Sequence, residues 1–482
     1  MPTPTKRRPK KPGERTRAGR RGQGRRSAVP RAWRSEGDPS RSGDRDRTRP
    51  PRLDLVDPLV LEVHGLVHDQ GWLADRALEG VLRRERVLFA SERRAVAESV
   101  YGITRWQGQL DLLLGRPPSL ALRYAAWLAR FGGVAPVVAA RRLGVPAAAL
   151  APAVGAGADA RLAAIPDPLD RLAAEASLPR WIAAGFADAL GLEEARALAA
   201  AMNARAPLTV RANALRGTRE DLRARLAAEG VQAEPTRFSP WGLVLDGHAN
   251  AFALKAFKEG RFEIQDEGSQ LVALACGARP GWTAVDACAG AGGKSLALAA
   301  EMRNKGSLHA LDTDEGRLSE ARRRARRADV HNLRSREIAP GPEADAQLAD
   351  LAGQADVVLV DAPCSGLGTL RRKPDARWRL AEGDPARFAA TQRALVLRFA
   401  RLLKPGGRLV YATCSVGRTE NDEVADFAER EAGLRPAALA PLLGAERAAA
   451  LGVAGPGDGR LKLYPHRHGT DGFFLAVLER PR

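Results

Sequence analysis

Cysteine is scarce in this chain: four in 482 residues, with no C-x-x-C spacing. That excludes a disulfide framework and a thiolate zinc site, and no metal is expected. A reduced, cytoplasmic protein with free thiols is the reading that remains. No uninterrupted apolar run approaches the ~20 residues that cross a bilayer, so no membrane association is expected. The N-terminus lacks an apolar core segment, which argues against a secretory signal. Acidic residues are short in one place: residues 1–52 hold 18 Lys/Arg against 5 Asp/Glu, or +13 of the net +19. With Trp33 as its one aromatic, this stretch cannot bury enough surface to fold, and 1–55 reads as a disordered basic tail. Its excess of arginine over lysine favours an electrostatic arm for nucleic acid. A solubilising tail or a transit peptide are the other readings. Apolar residues, at 45%, are ample for sizeable cores, and the length suits two or three domains.

From about Pro58 to Leu150 the pattern is helical, and again over 178–202, so 56–190 reads as a helical domain. A-L-E-G-V-L-R-R (77–84) and E-R-R-A-V-A-E-S-V-Y-G-I-T-R-W (92–106) place apolar residues three and four apart. Ser91 reads as an N-cap for the second stretch, with Arg94 three residues on and so no capping box. Leu110 to Leu114 and Leu120 to Phe131 continue the helices, and the Pro/Gly/Ala-rich 145–158 loosens them. Residues 191–265 read as a small α+β module, with a strand at 207–213 and a helix at 216–230 that starts at Thr218 and stops at Gly230. From 266 to 482 strands and helices alternate: strands 283–286, 307–312, 356–361 and 407–412, with helices between them. This predicts a parallel, doubly wound α/β sheet.

Ligands of such a sheet bind outside the carboxyl ends of the strands. Asp286, Asp312, Asp361 and Cys414 all fall there, as does the loop D-A-C-A-G-A-G-G-K-S (286–295). Cys288 stands where a phosphate-binding Walker loop would need glycine. Cys288, Ala289, Gly290, Ala291, Gly292, Gly293 and Lys294, with Asp312 as an acceptor for ribose hydroxyls, fit a nucleoside cofactor. A free cysteine is commonly a small buried hydrophobe, which suits Cys276. Cys364 in D-A-P-C-S-G (361–366) and Cys414 in Y-A-T-C-S (411–415) differ, because both project where a substrate would sit. A thiol, a carboxylate (Asp361), a lysine (Lys294) and a nucleoside cofactor together suit methylation of a pyrimidine at carbon 5. That ring carbon is a poor nucleophile until a thiolate adds at carbon 6.

These motifs resemble those of the bacterial Sun/Fmu-type RNA cytosine-C5 methyltransferases of the broader Nol/Nop/Sun family, over residues 60 to 480. F-E-I-Q-D-E-G-S-Q (262–270), E-N-D-E (420–423) and D-G-F-F-L-A (471–476) are similar to family signatures, and S-E-R-R-A-V-A-E-S-V-Y-G-I to the NusB-type RNA-binding domain. The resemblance implies a Rossmann-like methyltransferase core (266–482), an all-α NusB-like domain (56–190) and the α+β module (191–265). It implies S-adenosylmethionine (AdoMet) bound by residues 288–294, Asp312 and Asp361, with ribosomal RNA as substrate of a monomeric enzyme. Cys414 would attack carbon 6, Cys364 would help break the adduct, and Asp361 and Lys294 would reach the cytosine. Spacing alone does not say which cysteine attacks, and DNA cytosine methyltransferases use a P-C cysteine. Transfer RNA as substrate, or a non-catalytic RNA-binding scaffold, are the competing readings. Two departures stand out. Ala291 replaces the family's usual proline, and R-S-R-E-I-A-P-G-P (334–342) lacks the family's Asp, leaving Glu337 as a substitute.

Overall fold

The computed structural model describes residues 50–115, 117–246, 249–453, 455 and 457–482. The readings made for residues 1–49 lie outside the described residues. None of the described helices is long and apolar enough to cross a membrane.

The N-terminal region is helical: Leu53–His68, Ala74–Arg84, Ala90–Leu114, Leu120–Arg130 and Pro136–Leu143, followed by a 3-10 turn at Ala147–Ala153. Val56, Val60, Val63 and Val67 recur three to four apart and face one core with Val96, Val100 and Ile103. Two expectations need correction. The stretches at 92–106 and 110–114 are one continuous helix, and Ser91 lies inside it rather than capping it. The helix starts two residues earlier, at Ala90, where Glu92 accepts the Phe89 N–H at 2.8 Å and pairs with Arg52 across the fold, so the acid one position after Ser91 does the capping.

Helices Pro168–Ala176, Arg180–Leu190 and Leu192–Asn203 follow. The first of them touches the N-terminal core through Ala174, but most of their apolar residues form a separate cluster. Ile182, Phe186, Leu198 and Met202 bury in one cluster with Leu367, Leu370 and Val416, on the loops that follow both late cysteines, and with Tyr464, just after Arg460–Leu463.

A four-stranded antiparallel sheet comes next, in the order β2-β3-β1-β4, from β1 (Leu208–Ala212), β2 (Ala233–Pro235), β3 (Gly242–Leu245) and β4 (Phe262–Ile264). Its helix Arg219–Ala228 begins as expected: the Thr218 hydroxyl accepts the Asp221 N–H at 3.1 Å, and the Asp221 carboxylate accepts the Thr218 N–H at 2.9 Å.

The large sheet contains β5 (Thr283–Asp286), β6 (Ser307–Asp312), β7 (Leu333–Glu337), β8 (Ala355–Asp361), β9 (Leu403–Thr413), β10 (Arg435–Pro436), β11 (Arg460–Leu463) and β12 (Phe473–Glu479). The order is β10-β12-β9-β8-β5-β6-β7, with β11 also on β12. Strands β5 to β9 are parallel, and A-D-V-V-L-V-D reads as a strand apolar on both faces because helices cover both sides. The sheet is not wholly parallel as expected. The chain turns back within ten residues between β11 and β12, so β12 enters antiparallel beside β9. Strand order reverses between β5 and β8, and the crevice at that switch point lies over the carboxyl ends of both.

Candidate active site

Five strand ends meet at this crevice. Asp286 ends β5, Asp312 ends β6, Asp361 ends β8, and Cys414 directly follows β9. Glu337 ends β7 as the register partner of Asp312 and is exposed. The sheet thus brings together every site residue read from the sequence.

The two cysteines lie against each other, Sγ to Sγ 3.3 Å, on part-buried side chains. One proton fits between them. The hydrogen bond from Cys364 draws the Cys414 thiol below its ordinary range. Burial and the Asp361 charge oppose this, and the Lys294 and Lys373 charges assist it. Cys364 is pushed well above its ordinary range, first by that same bond, then by burial, the Cys414 charge and Glu420. The asymmetry favours Cys414 over Cys364 as the more acidic thiol of the pair. Cys276 is wholly buried against the Val272 carbonyl, and burial raises its thiol, as expected of a core residue. Cys288 lines the glycine loop, where burial and three nearby aspartates raise it.

Beside the cysteines, Lys294 Nζ donates to Asp361 Oδ2 at 2.6 Å and lies 5.5 Å from the Phe473 ring. Burial alone would lower the lysine, but the Asp361 charge and hydrogen bond outweigh it and hold the amine protonated. Phe473 belongs to D-G-F-F-L-A, whose neighbouring Gly472 donates to the Gly368 carbonyl at 2.8 Å, while Gly368 N–H donates to the Cys414 carbonyl at 2.9 Å. A Cβ on Gly368 would stand 2.2 Å from the Gly472 oxygen, so only glycine permits this approach. Asp471 of the same motif accepts Arg371 at 2.5 Å and Arg372 at 2.6 Å, and Arg372 also reaches Asp266 at 2.9 Å. Further along this segment, Arg377 donates to Asn203 at 2.9 Å and Trp378 to the Thr104 carbonyl at 2.6 Å. The segment that follows the Cys364 loop therefore ties the catalytic core to the N-terminal helices.

The glycine loop is held by two arginines that sequence reasoning missed, one of them from outside its own domain. Arg324 donates to the Ala291 carbonyl at 2.8 Å, and Arg211 of β1 donates to the Gly293 carbonyl at 2.7 Å. Glu263 of β4, almost fully buried, accepts both Arg324 and Arg327. Where the related loops have proline to restrict the backbone, Ala291 here has an arginine on its carbonyl.

Residues 273–479 match the family described as 16S rRNA methyltransferase RsmB/F, and residues 178–251 match the ferredoxin-like domain of RsmF/B-like methyltransferases. A Bacillus subtilis protein named as a probable ribosomal RNA small subunit methyltransferase B is 36% identical over 321 residues, covering 66% of this chain and 69% of that protein. The Synechocystis protein of the same name is 30% identical over 440 residues, 84% of this chain and 94% of its own. This chain belongs to the RsmB/F family. Its core is a Rossmann-like methyltransferase fold. The solved structure of a methyltransferase homologue from Pyrococcus horikoshii, 29% identical, matches with a TM-score of 0.53 over 65% of this chain and 99% of that one.

RsmB/F proteins are AdoMet-dependent RNA methyltransferases, and the crevice fits that cofactor. Gly290 and Gly292 adopt φ of +53° and +81°, and open space lies beside Gly290. Asp312 accepts the Gly290 N–H at 2.8 Å and the Asp314 N–H at 3.0 Å, which fixes its carboxylate at the loop's edge. Asp286 takes the Ser295 hydroxyl at 2.6 Å on one oxygen, while the other is buried without a protein partner. Burial raises this carboxyl to about 7. A polar cradle with an unsatisfied acid and backbone free to approach suits a nucleoside with a charged amino-acid arm.

Proposed function

We propose that this protein methylates carbon 5 of a cytosine in 16S ribosomal RNA, through a covalent bond between Cys414 Sγ and carbon 6. The observation that carries the reading is the pair of sulfurs 3.3 Å apart beside the Lys294–Asp361 ion pair. The names of the relatives supply the RNA. AdoMet, held by residues 288–294, Asp312 and Asp361, supplies an electrophilic methyl group. Cys414 Sγ adds to carbon 6, and the ring electrons this displaces make carbon 5 nucleophilic. Addition pushes negative charge onto N3, and the Lys294 ammonium supplies the proton that meets it, passed through its hydrogen bond to Asp361, which stabilises the adduct. Bonding of Cys414 to carbon 6 removes the hydrogen bond and the charge that raise Cys364, so Cys364 gives its thiol proton to water and, as a thiolate, takes the proton of the methylated carbon 5. The electron pair of that C–H bond restores the ring double bond as Cys414 departs. Residues 56–190 and 191–265 serve as RNA-binding domains around the core at 266–482.

Asp361→Asn keeps the shape but loses the charge and the shareable proton. It is expected to slow methyl transfer at least ~10²-fold, the low end of acid–base contributions. An unchanged single-turnover rate would reduce Asp361 to a loop cap. Asp312→Ala removes an acceptor worth roughly 1.5–3 kcal/mol when charged, so the AdoMet dissociation constant should rise about ten- to a hundredfold by calorimetry. Unaltered binding would take Asp312 out of the cofactor site.

Bisulfite sequencing of total RNA from cells lacking the protein tests the substrate. One 16S cytosine should lose its protection. Loss confined to a transfer RNA would redirect the enzyme, and no loss at all would favour the scaffold.

A further inference from the structure

Each late cysteine is followed by a serine, and the two serines share one partner. Glu420, fully buried, accepts the Ser365 N–H at 2.8 Å on one oxygen. Its other oxygen accepts the Ser365 hydroxyl at 2.5 Å and the Ser415 hydroxyl at 2.7 Å. The two hydroxyls are 3.1 Å apart. Gln392 adds a donor at 3.2 Å and uses the same amide group to hold the Pro363 carbonyl at 2.9 Å. The next residue, Asn421, completes the brace, accepting the Thr413 hydroxyl at 2.6 Å and donating to the Ser415 carbonyl at 3.1 Å. One short segment thus grips the residues on both sides of Cys414 and the residue after Cys364.

We propose that Glu420 is a positioning residue of the cysteine pair: its carboxylate sets the spacing of the two loops, and its charge directs their shared proton onto Cys364. Geometry carries the first half. A buried carboxylate with four donors is costly to rearrange, so the two loops move together or not at all. Charge placement carries the second. Glu420 takes two bonds from Ser365, which follows Cys364, against one from Ser415, which follows Cys414, so its carboxylate is tied more closely to the Cys364 loop, and its charge raises that thiol. An anion on the Cys364 side opposes a second negative charge there, so the thiolate settles on Cys414. The consequence for turnover rests on the covalent reading above, but the placement of the proton does not.

The test uses the full-length enzyme without RNA. Brief iodoacetamide labelling at neutral pH, read by peptide mass spectrometry, gives the ratio of alkylated Cys414 to alkylated Cys364. Wild type should favour Cys414. Glu420→Gln is nearly isosteric, keeps an acceptor for the Ser365 N–H and removes the charge. It should lower the ratio about tenfold, the effect of one pKa unit, and lower kcat for methyl transfer with KM for RNA unchanged. Glu420→Asp, which keeps the charge on a shorter arm, should preserve the ratio. If Glu420→Gln leaves the ratio at its wild-type value, Glu420 does not direct the proton, whatever happens to kcat. If the ratio falls but kcat is unchanged, it does not position the pair for reaction. Should the wild-type enzyme form no 5-methylcytidine, the covalent reading fails, and the ratio still decides the location of the proton.

Discussion

Cys414→Ala is expected to abolish methyl transfer while AdoMet binds normally. The expectation follows from what the thiolate does. Carbon 5 of cytosine has little electron density to offer until a nucleophile adds at carbon 6, and in the proposed mechanism Cys414 is that nucleophile. The Asp361 charge and hydrogen bond raise Lys294, and the Cys414 hydrogen bond and burial raise Cys364, so both neighbours hold their protons more firmly than Cys414. The glycine loop and Asp312 lie on neighbouring strand ends and do not depend on the sulfur. Calorimetry with AdoMet should match wild type, and transfer of a radiolabelled methyl group to RNA should fall to background. Transfer near the wild-type rate would remove Cys414 from the mechanism.

Cys364→Ala is expected to do the opposite: it should add to RNA and fail to let go. Cys364 Sγ lies 3.3 Å from Cys414 Sγ, so it sits beside carbon 5 once Cys414 has bonded to carbon 6. Without it the carbon-5 proton has no nearby acceptor, and elimination stalls. A protein–RNA band should persist on a denaturing gel in the presence of AdoMet, and should vanish in the Cys364→Ala, Cys414→Ala double mutant. A band that forms in Cys414→Ala but not in Cys364→Ala would reverse the roles and bring the chemistry closer to the DNA enzymes. Full activity in both single mutants would make the cysteines structural.

The chemistry-bearing residues were legible in the sequence because they obey a local rule. Asp286, Asp312, Asp361 and Cys414 each end an apolar run, and a parallel sheet aligns such ends. Strands β1, β5, β6, β8 and β9 were readable from their apolar runs and the start of the helix at Arg219 from its Thr218 cap, whereas the short strands β2, β3, β10 and β11 were not. The groups that hold the site were not. Glu420 stood in a quoted motif without a role, because its partners Ser365 and Gln392 are 55 and 28 residues away. Arg211 and Glu263 belong to the small antiparallel sheet, yet act on the glycine loop, and no periodicity links them. The same holds for Arg371 and Arg372, whose ion pairs with Asp266 and Asp471 explain why D-G-F-F-L-A sits beside the lysine. The break between Arg180–Leu190 and Leu192–Asn203 falls at Gly191, whose φ is +80°, and the packing of these helices on the cysteine loops came from tertiary contacts that their helical pattern did not encode.

The central claim is the identity of the modified atom, and one measurement addresses it directly. Unmodified 16S ribosomal RNA is incubated with the purified protein and AdoMet carrying a heavy methyl group, then digested to nucleosides for mass spectrometry. The account predicts all of the heavy methyl in 5-methylcytidine, with none from Cys414→Ala. Heavy methyl on a ribose oxygen, on a ring nitrogen or on a purine would contradict it.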